Sequence, residues 1–246
     1  MIEALNKKKC LLEYIKSSTP DGEQKEQRKE EDAKTSSILG TLSLLPFRLF
    51  KTILGYAVSS CIDGTITGIE FWPHWKYRDP NDSTREFVEP DVVLKLEGNK
   101  AIIIEAKRDS STLQDENQWQ REINAGCDNG YEIMSLVALD GNRDFEYERK
   151  CDIDVYKTSW PLLLNAVCKI REQLKNGECC CYFSILKLDV SIRREIIDGW
   201  IRILNQTINA FAIFGYYPTQ FMADTIPAIN ISKQATDFFN QTKYIK

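Results

Sequence analysis

The chain has 246 residues, of which 43% are hydrophobic and 28% are charged, and its 32 basic and 36 acidic residues give a net charge of −4. These values are ordinary for a globular protein, and the length suits one large domain or a domain with an appendage. The total charge excludes a uniformly basic nucleic-acid-binding protein, but it leaves room for a local basic groove.

Cysteines and apolar segments indicate the compartment. The chain has eight cysteines but no Cys-x-x-Cys pair, and its one histidine is His74, so neither a disulfide scaffold nor a structural zinc site is expected. The first residues lack the apolar core of a signal peptide. The apolar stretch from Ser37 to Ser60 contains Arg48 and Lys51, and each central charge costs about 2.5–3.5 kcal/mol on a membrane-insertion scale. We therefore expect a cytoplasmic protein without a membrane span.

The first quarter of the chain is predicted to be helical and partly solvated. Residues Ile2 to Ile15 have the pattern of a short amphipathic helix, and the polar stretch from Ser18 to Ser36 predicts a solvated linker or an exposed helix. Ser36 or Ser37 can then cap a helix to Leu45, and Pro46 can begin another through Tyr56. Residues 1–60 are thus predicted to form an N-terminal helical region with a charged linker at about 18–36.

Strand and helix patterns alternate in the rest of the chain. Alternation and short apolar runs predict strands at Thr65–Trp75, Phe87–Leu96, Ala101–Ala106, Glu132–Leu139, Ile153–Tyr156 and Tyr182–Leu188. Helices are predicted from a cap at Ser111 or Thr112 to about Ala125, at Pro161–Leu174 and at Ser191–Phe214. The predicted fold class is α/β, a mixed central sheet flanked by helices. Its core is residues 61–160, and residues 161–246 are a C-terminal helical extension packed on it.

Charged residues cluster at the shared end of two very apolar strands. Residues 92–94 and 102–104 are apolar at every position, so both strands are expected to be buried on both faces. Their common end nevertheless carries Glu89, Asp91, Glu105 and Lys107. Several charges against a buried strand pair are costly unless they pair with one another or bind a metal.

Strand geometry can bring three of these side chains together. Glu105 and Lys107 point to one face of their strand because side chains alternate. If the turn uses three residues with Gly98 left-handed, Asp91 lies opposite Glu105, and such partners have Cβ atoms about 4.5–5.5 Å apart. Paired carboxylates at that spacing suit Mg²⁺ or Mn²⁺. Lys107 lies one step further along the same face, where it can hold or help to deprotonate an attacking water.

The sequence Pro90-Asp91, followed after thirteen residues by Glu105-Ala106-Lys107, resembles the PD-(D/E)XK signature of restriction-endonuclease-like nucleases. The resemblance implies a restriction-endonuclease-like core over roughly Thr65 to Tyr156 and metal-dependent hydrolysis of nucleic acid, with DNA as the expected substrate. It assigns Asp91, Glu105 and Lys107 as catalytic residues. The metal, Mg²⁺ with Mn²⁺ as a substitute, would be held by Asp91, Glu105 and the carbonyl of Ala106.

The resemblance also suggests two residues outside the signature. Some members add a glutamine from the following helix, and Gln118 is the candidate for contact with substrate phosphate or with water. Members often have an upstream acidic ligand as well, and Glu70 is the candidate, although its spacing does not identify it. Family analogy alone makes antiviral defence in bacteria the expected setting, with a homodimer or a partner protein of a defence complex as open alternatives.

Two other classes of function stay open. The chain can be a catalytically silent member of the same fold that binds nucleic acid or a partner protein. It can also be a scaffold whose terminal helices dock a partner. The intact set of Asp91, Glu105 and Lys107 argues against the silent member, because a binding-only protein gains nothing from a costly acidic pair. The ordinary interpretation of Glu105 and Lys107 is an exposed ion pair at a strand end, which contributes little energy.

Overall fold

The computed structural model describes residues 20–78, 86–107, 115–141, 146–150, 152–178 and 189–218, with side chains from residue 30 onward. The helices in these ranges are α1 (Pro20–Leu42), α2 (Phe47–Ala57), α3 (Glu116–Asp128), α4 (Trp160–Lys175) and α5 (Val190–Ile213). The strands are β1 (Ile66–Phe71), β2 (Trp75–Lys76), β3 (Phe87–Val88), β4 (Val92–Leu96), β5 (Lys100–Ala106), β6 (Glu132–Asp140), β7 (Glu146–Lys150) and β8 (Ile153–Ser159). The predicted helix Ile2–Ile15 and strand Tyr182–Leu188 lie outside the described residues.

Six strands form one sheet in the order β1-β4-β5-β6-β8-β7. Strand β4 runs antiparallel to both β1 and β5, while β5, β6 and β8 are parallel and β7 is antiparallel at the far edge. Strands β2 and β3 form a separate antiparallel pair. The architecture is a mixed α/β sheet flanked by helices, which confirms the predicted fold class at that level.

The sequence predicted continuous strands at Thr65–Trp75 and Phe87–Leu96, and in both cases the continuity is wrong. Each segment is divided between the large sheet and the β2–β3 pair. Pro73 and Pro90 lie at the two breaks and have no N–H group to donate to a ladder. Strand β7 was not predicted because its charged and mostly exposed residues lack an apolar alternation.

Apolar side chains of the central strands alternate between two cores. Val92 and Leu94 belong to one cluster and Val93 to the other, and the residues of β5 divide in the same way. The larger cluster contains residues of α1, α2, α4 and α5, whereas the smaller one contains residues of α3 and of the β2–β3 pair. Both faces of β4 and β5 are therefore buried, as the sequence predicted.

Helix α1 corrects the prediction for the charged N-terminal stretch. The helix continues through Ser36, which is buried inside it and therefore does not cap a new helix. Lys34 is only 4% exposed, and its ammonium lies 5.0–5.7 Å from the rings of Trp160, Phe214 and Tyr216. Aromatic faces stabilise a cation, so this part of the stretch is neither a linker nor exposed. The sequence pattern missed it because the ring partners are distant in the chain.

Helix α3 lies close against the sheet because of a glycine. A Cβ atom at Gly126 would stand 2.6 Å from Ile133 Cδ1 and 3.1 Å from the Trp75 ring, so no larger residue fits without displacement. The helix begins at Glu116, and Asp115 caps it by accepting from Asn117 N at 2.9 Å. The predicted caps, Ser111 and Thr112, lie outside the described residues.

Candidate metal centre

The β4–β5 turn sets the register that the centre requires. Leu96 pairs with Lys100 across a three-residue turn in which Gly98 has a φ of +74° and Asn99 a φ of +57°. A left-handed backbone of this kind favours glycine and tolerates asparagine. Val92 pairs with Ile104, so the next step of the register puts Asp91 beside Glu105. The predicted turn is confirmed.

Asp91 and Lys107 are fixed by backbone hydrogen bonds at the strand ends. The amide of Ala106 donates to Asp91 Oδ2 at 2.9 Å. Lys107 N donates to Leu139 O at 2.7 Å, which extends the β5–β6 ladder by one residue, and Trp160 Nε1 donates to Lys107 O at 2.7 Å. Asp91 is thus held through its carboxylate and Lys107 through its backbone. These anchors do not depend on the ion pair that the Lys107 side chain forms.

The side chain of Lys107 meets the carboxylates directly. Its Nζ donates to Glu105 Oε1 at 2.5 Å and lies 3.8 Å from Glu31 Oε1. The side chain of Glu105 is 2% exposed and that of Lys107 is 10% exposed. The structure therefore brings together the predicted trio of Asp91, Glu105 and Lys107 in a buried setting.

Gln118 on α3 joins the same cluster. Its amide Nε2 donates to Glu105 Oε1 at 2.6 Å and to Glu122 Oε1 at 2.8 Å, and its Oε1 lies 3.5 Å from Lys107 Nζ. Gln118 and Glu122 are four residues apart and share a helix face. The sequence pointed to Gln118 but missed Glu122, although a glutamate between Trp119 and Ile123 on the buried face was an available signal.

The two acidic candidates upstream of the signature have different surroundings. Glu70 on β1 forms an ion pair with Lys95 at 2.7 Å, and both side chains are more than a third exposed. Glu31 on α1 approaches Lys107 instead, with a side chain that is 16% exposed. No local pattern distinguishes Glu31 within its charge-rich stretch, so the sequence alone could not have selected it.

Burial and like charge dominate the electrostatics of the centre. Burial raises the pKa of the Asp91 carboxyl well above its usual value, and the charge of Glu105 raises it further. Burial and the Glu105 charge act in the same direction on the pKa of Glu122. For Lys107, burial lowers the pKa, but the charges of Glu105, Asp91 and Glu31 outweigh burial and the pKa is raised overall. The centre favours added positive charge, from protons or a cation.

The donor set is compatible with a divalent cation. Asp91 and Glu105 offer carboxylate oxygens, and Mg²⁺ and Mn²⁺ prefer oxygen ligands. Glu105 Oε2 and Glu122 Oε2 are buried without a hydrogen-bond partner among the described residues, and a buried carboxylate oxygen is costly in that condition. Within those same residues, however, no three His, Cys, Asp or Glu side chains form a ready cation cage. The carboxylate oxygens therefore fit a cation. One of them, Glu105 Oε1, also accepts hydrogen bonds from Lys107 and Gln118.

A polar cavity lies beside the β2–β3 pair, which precedes Asp91 in the chain. Its volume is about 590 Å³, and it is lined by His74, Lys76, Tyr77, Arg78, Glu86, Phe87 and Asp128. The rings of His74 and Phe87 are 4.1 Å apart, and Phe87 is 48% exposed. Phe87 is four residues before Asp91, and an extended chain spans at most about 3.6 Å per residue. The Cα atoms of Phe87, in the cavity lining, and Asp91 are therefore at most about 15 Å apart.

Comparisons with known proteins give limited information. No family model matches the chain. The chain is 34% identical over 122 residues to "Uncharacterized protein PM0110" of Pasteurella multocida (strain Pm70), an alignment that covers 48% of this chain and 45% of that protein. The chain therefore spans less than half of this relative. Among the described helices, none combines the length and the apolar character needed to cross a membrane.

Proposed function

We propose that this protein is a Mg²⁺-dependent nuclease with a restriction-endonuclease-like core, and that DNA is its substrate. The observation that carries the proposal is the buried cluster of Asp91, Glu105 and Lys107, in which the Lys107 ammonium pairs with Glu105 and the Asp91 carboxylate accepts from the Ala106 amide between them in the chain. Burying these charges is costly for a protein that makes no use of them. Perturbed, buried ionisable groups of this kind concentrate at functional sites.

The arrangement of elements supports the restriction-endonuclease-like assignment. An antiparallel β4–β5 hairpin carries the three signature residues, α3 follows, and β6 then lies parallel to β5. This is the order of hairpin, helix and further strand on which the resemblance rests. Helix α3 contributes Gln118, the residue that the resemblance suggested for that helix.

Each side chain of the centre has a role consistent with its contacts. Asp91, Glu105 and the carbonyl of Ala106 would hold the cation, with Glu31 as a further carboxylate within reach of Lys107. A divalent cation here would supply charge that polarises the scissile phosphate and makes the attacking water more acidic. Lys107 remains protonated near neutral pH because its pKa is raised. Its Nζ can therefore hold a water or phosphate oxygen as a hydrogen-bond donor.

The cavity at the β2–β3 pair supports a nucleic-acid substrate. Lys76 and Arg78 offer charge for phosphates, and the exposed ring of Phe87 offers a face on which a base can stack. Glu86 and Asp128 make the lining neutral overall, so this surface favours a polar and stacking contact over a purely electrostatic one. The substrate would reach from this cavity to Asp91.

A catalytically silent protein of the same fold is the second candidate. One observation favours it, namely that the described residues contain no ready group of three metal-ligating side chains. In that case Lys107 would serve as the permanent counter-ion of Glu105, and the surface would bind nucleic acid or a partner protein without cutting.

The test is a cleavage assay on supercoiled plasmid and on linear single strands with Mg²⁺, Mn²⁺ or EDTA. We expect the wild type to cut only with a divalent cation and Asp91→Ala to be inactive. The control is Asp198→Ala, which removes an exposed aspartate on α5 and should cut like the wild type. Wild-type and Asp91→Ala proteins with equal activity would contradict the proposal, as would a folded wild type that neither cuts nor binds Mn²⁺ through Asp91 and Glu105.

A further inference from the structure

A buried lysine of α1 lies among three aromatic rings and has no part in the roles assigned above. Lys34 is 4% exposed, and its Nζ lies 5.6 Å from the ring centre of Trp160, 5.7 Å from that of Phe214 and 5.0 Å from that of Tyr216. These three rings are called the aromatic box below. The Tyr216 hydroxyl also accepts a hydrogen bond from Lys34 Nζ at 3.3 Å. Burying an ammonium group is costly, and ring faces offset part of that cost. An apolar residue would fill this position without that cost, so the charge of Lys34 indicates a role beyond packing.

The end of α5 shapes the aromatic box. Gly215 has a φ of +81°, and this left-handed residue turns the chain back so that Tyr216 N donates to Phe211 O at 3.0 Å. Gly215 N donates to Ala212 O at 3.1 Å, which completes the Schellman arrangement that ends many helices at a glycine. The buried ring of Phe211 lies edge-on to Trp160 and to Tyr216, with ring centres 6.3 Å apart in both cases. The box is thus built by α4 and α5, and α1 inserts Lys34 into it.

Glu31 lies on the same side of α1 as Lys34. The two residues are three apart, and side chains at that spacing are neighbours on a helix. In residues 30–42, where the side chains of α1 are described, the large apolar anchors begin at Ile38, which is buried in the larger core. Glu31 is seven residues before Ile38, about 10 Å along the helix axis, yet its Oε1 lies 3.8 Å from Lys107 Nζ. Lys34 lies between these two points and anchors the intervening turn.

We propose that Lys34 is a positioning residue of the metal centre, whose insertion into the aromatic box fixes α1 so that the Glu31 carboxylate reaches Lys107. This inference rests on the proposed function, because it concerns the same centre. Trp160 connects the two sites, since its ring faces Lys34 and its Nε1 donates to Lys107 O. The carboxylate of Glu31 is therefore part of the centre only when α1 is docked.

Charge alone and positioning predict opposite effects of Lys34→Met. Methionine is unbranched, apolar and adaptable, so it can fill much of the same space without the charge. If Lys34 acted on the centre only through its charge, removing that positive charge would strengthen the binding of a cation. If Lys34 positions Glu31, the same change weakens cation binding, because the centre loses a carboxylate. The direction of the change in Mn²⁺ affinity therefore distinguishes the two effects.

The experiment is a double-mutant cycle on the Mn²⁺ dissociation constant, measured by calorimetric titration of the full chain after metal is stripped from it. We expect Lys34→Met to weaken Mn²⁺ binding about 10-fold, the lower end of the range for groups that orient metal ligands. Added to Glu31→Gln, Lys34→Met should weaken binding no further, because residues that act through one another are not additive. The matched control is Lys169→Met, since Lys169 Nζ lies 4.0 Å from the ring of Tyr56 and both residues are exposed. This variant should keep the wild-type affinity.

Two further measurements make the test independent of one variant and of bound metal. Tyr216→Leu keeps the charge of Lys34 but removes one ring of the box and its hydroxyl, so it should also weaken Mn²⁺ binding. It takes the place of Lys34→Met in the cycle if that variant does not fold. In EDTA, the amides of residues 30–42 should exchange hydrogen faster in Lys34→Met than in the wild type or Lys169→Met, because α1 has lost an anchor.

The outcomes separate this inference from the proposed function. Mn²⁺ binding by Lys34→Met that equals or exceeds that of the wild type would overturn the positioning role and leave the metal centre standing. An equal loss of affinity in the Glu31→Gln background would also overturn it, because Lys34 would then act by another route, such as Trp160. Unchanged hydrogen exchange in Lys34→Met would show that the box does not hold α1, with the same consequence. No Mn²⁺ on a folded wild type would overturn the metal centre, and with it both proposals.

Discussion

Two lysine–glutamate pairs on the same sheet have nearly equal distances and very different surroundings. Lys107 and Glu105 are 2.5 Å apart with side chains 10% and 2% exposed, whereas Lys95 and Glu70 are 2.7 Å apart with side chains 39% and 36% exposed. Distance therefore does not separate the two pairs, but burial does, because water screens the exposed pair and leaves it little net energy.

The number of charges is the second difference between the pairs. The exposed pair is balanced, with one carboxylate for one ammonium. The buried pair shares its space with Asp91 and Glu122, whose pKa values are raised by burial and then by the charge of Glu105. An excess of buried negative charge is what a cation-binding centre needs and what an ordinary ion pair avoids.

The largest effect is expected from removing each lysine in turn. Lys107→Ala should lower the rate of DNA cutting by about 10²–10³-fold, the range typical of losing one hydrogen-bond donor directed at charge that develops in the transition state. Lys95→Ala should leave the rate unchanged, since Lys95 contacts Glu70 at the surface. Plasmid cleavage under single-turnover conditions measures both. Equal losses in the two variants would show that the buried lysine has no special role.

The second prediction concerns stability and pH. The folded-state pKa values of Asp91 and Glu122 are raised above the ordinary values of 3.8 and 4.5. The stability that their protonated forms contribute is fully present below those ordinary values and is lost as pH rises through the folded values. Each tenfold difference in the acid dissociation constant between the unfolded and folded states corresponds to about 1.4 kcal/mol. In EDTA the melting temperature should therefore fall from about pH 4 upward.

Two controls identify the groups responsible for this pH dependence. Mg²⁺ should reduce the loss of stability, because a cation stabilises the ionised carboxylates that Lys107 and its neighbours surround. Asp91→Asn and Glu122→Gln should each flatten the EDTA curve, since each removes one group with a raised pKa. Melting curves that rise with pH in EDTA, or that keep their slope in both variants, would contradict this assignment.

The two lysine–glutamate pairs also show which parts of the centre a sequence can reveal. Asp91, Glu105 and Lys107 were predictable because they lie on one hairpin, where alternation and the three-residue turn around Gly98 fix their relative positions. Gln118 was accessible through the resemblance alone. The fold class followed from the strand and helix patterns, although prolines divided two strands that the patterns joined.

Long-range packing was beyond the sequence. Glu31 reaches Lys107 because α1 packs against α5, and no local pattern encodes that contact. The upstream candidate Glu70 illustrates the same limit, since its spacing did not identify it, and in the structure the β1–β4 register pairs it with Val93 and its side chain meets Lys95. A single sequence contains the local geometry of one hairpin, but it does not show which distant helix covers it.

The third prediction tests whether the anchor of Lys107 differs from a surface hydrogen bond. Trp160 is fully buried and its Nε1 donates to Lys107 O, whereas Tyr147 is 53% exposed and its hydroxyl donates to Asp154. Trp160→Phe should lower the free energy of unfolding by about 1–3 kcal/mol, because it leaves a buried carbonyl without its partner. Tyr147→Phe should leave stability unchanged. Urea denaturation of both variants measures this, and equal small effects would contradict it.

The smallest effect is expected at the exposed pair itself. Glu70→Gln should change the free energy of unfolding by about 0–1 kcal/mol, the usual range for a surface ion pair, and should leave Mn²⁺ affinity at the wild-type value. Glu31→Gln is the paired variant, because Glu31 lies 3.8 Å from Lys107, and it should weaken Mn²⁺ binding. Calorimetric titration of both variants with Mn²⁺ measures the two affinities. Weaker binding in Glu70→Gln alone would make Glu70, the candidate that the resemblance suggested, the upstream ligand. It would also show that exposure does not separate the two lysine–glutamate pairs.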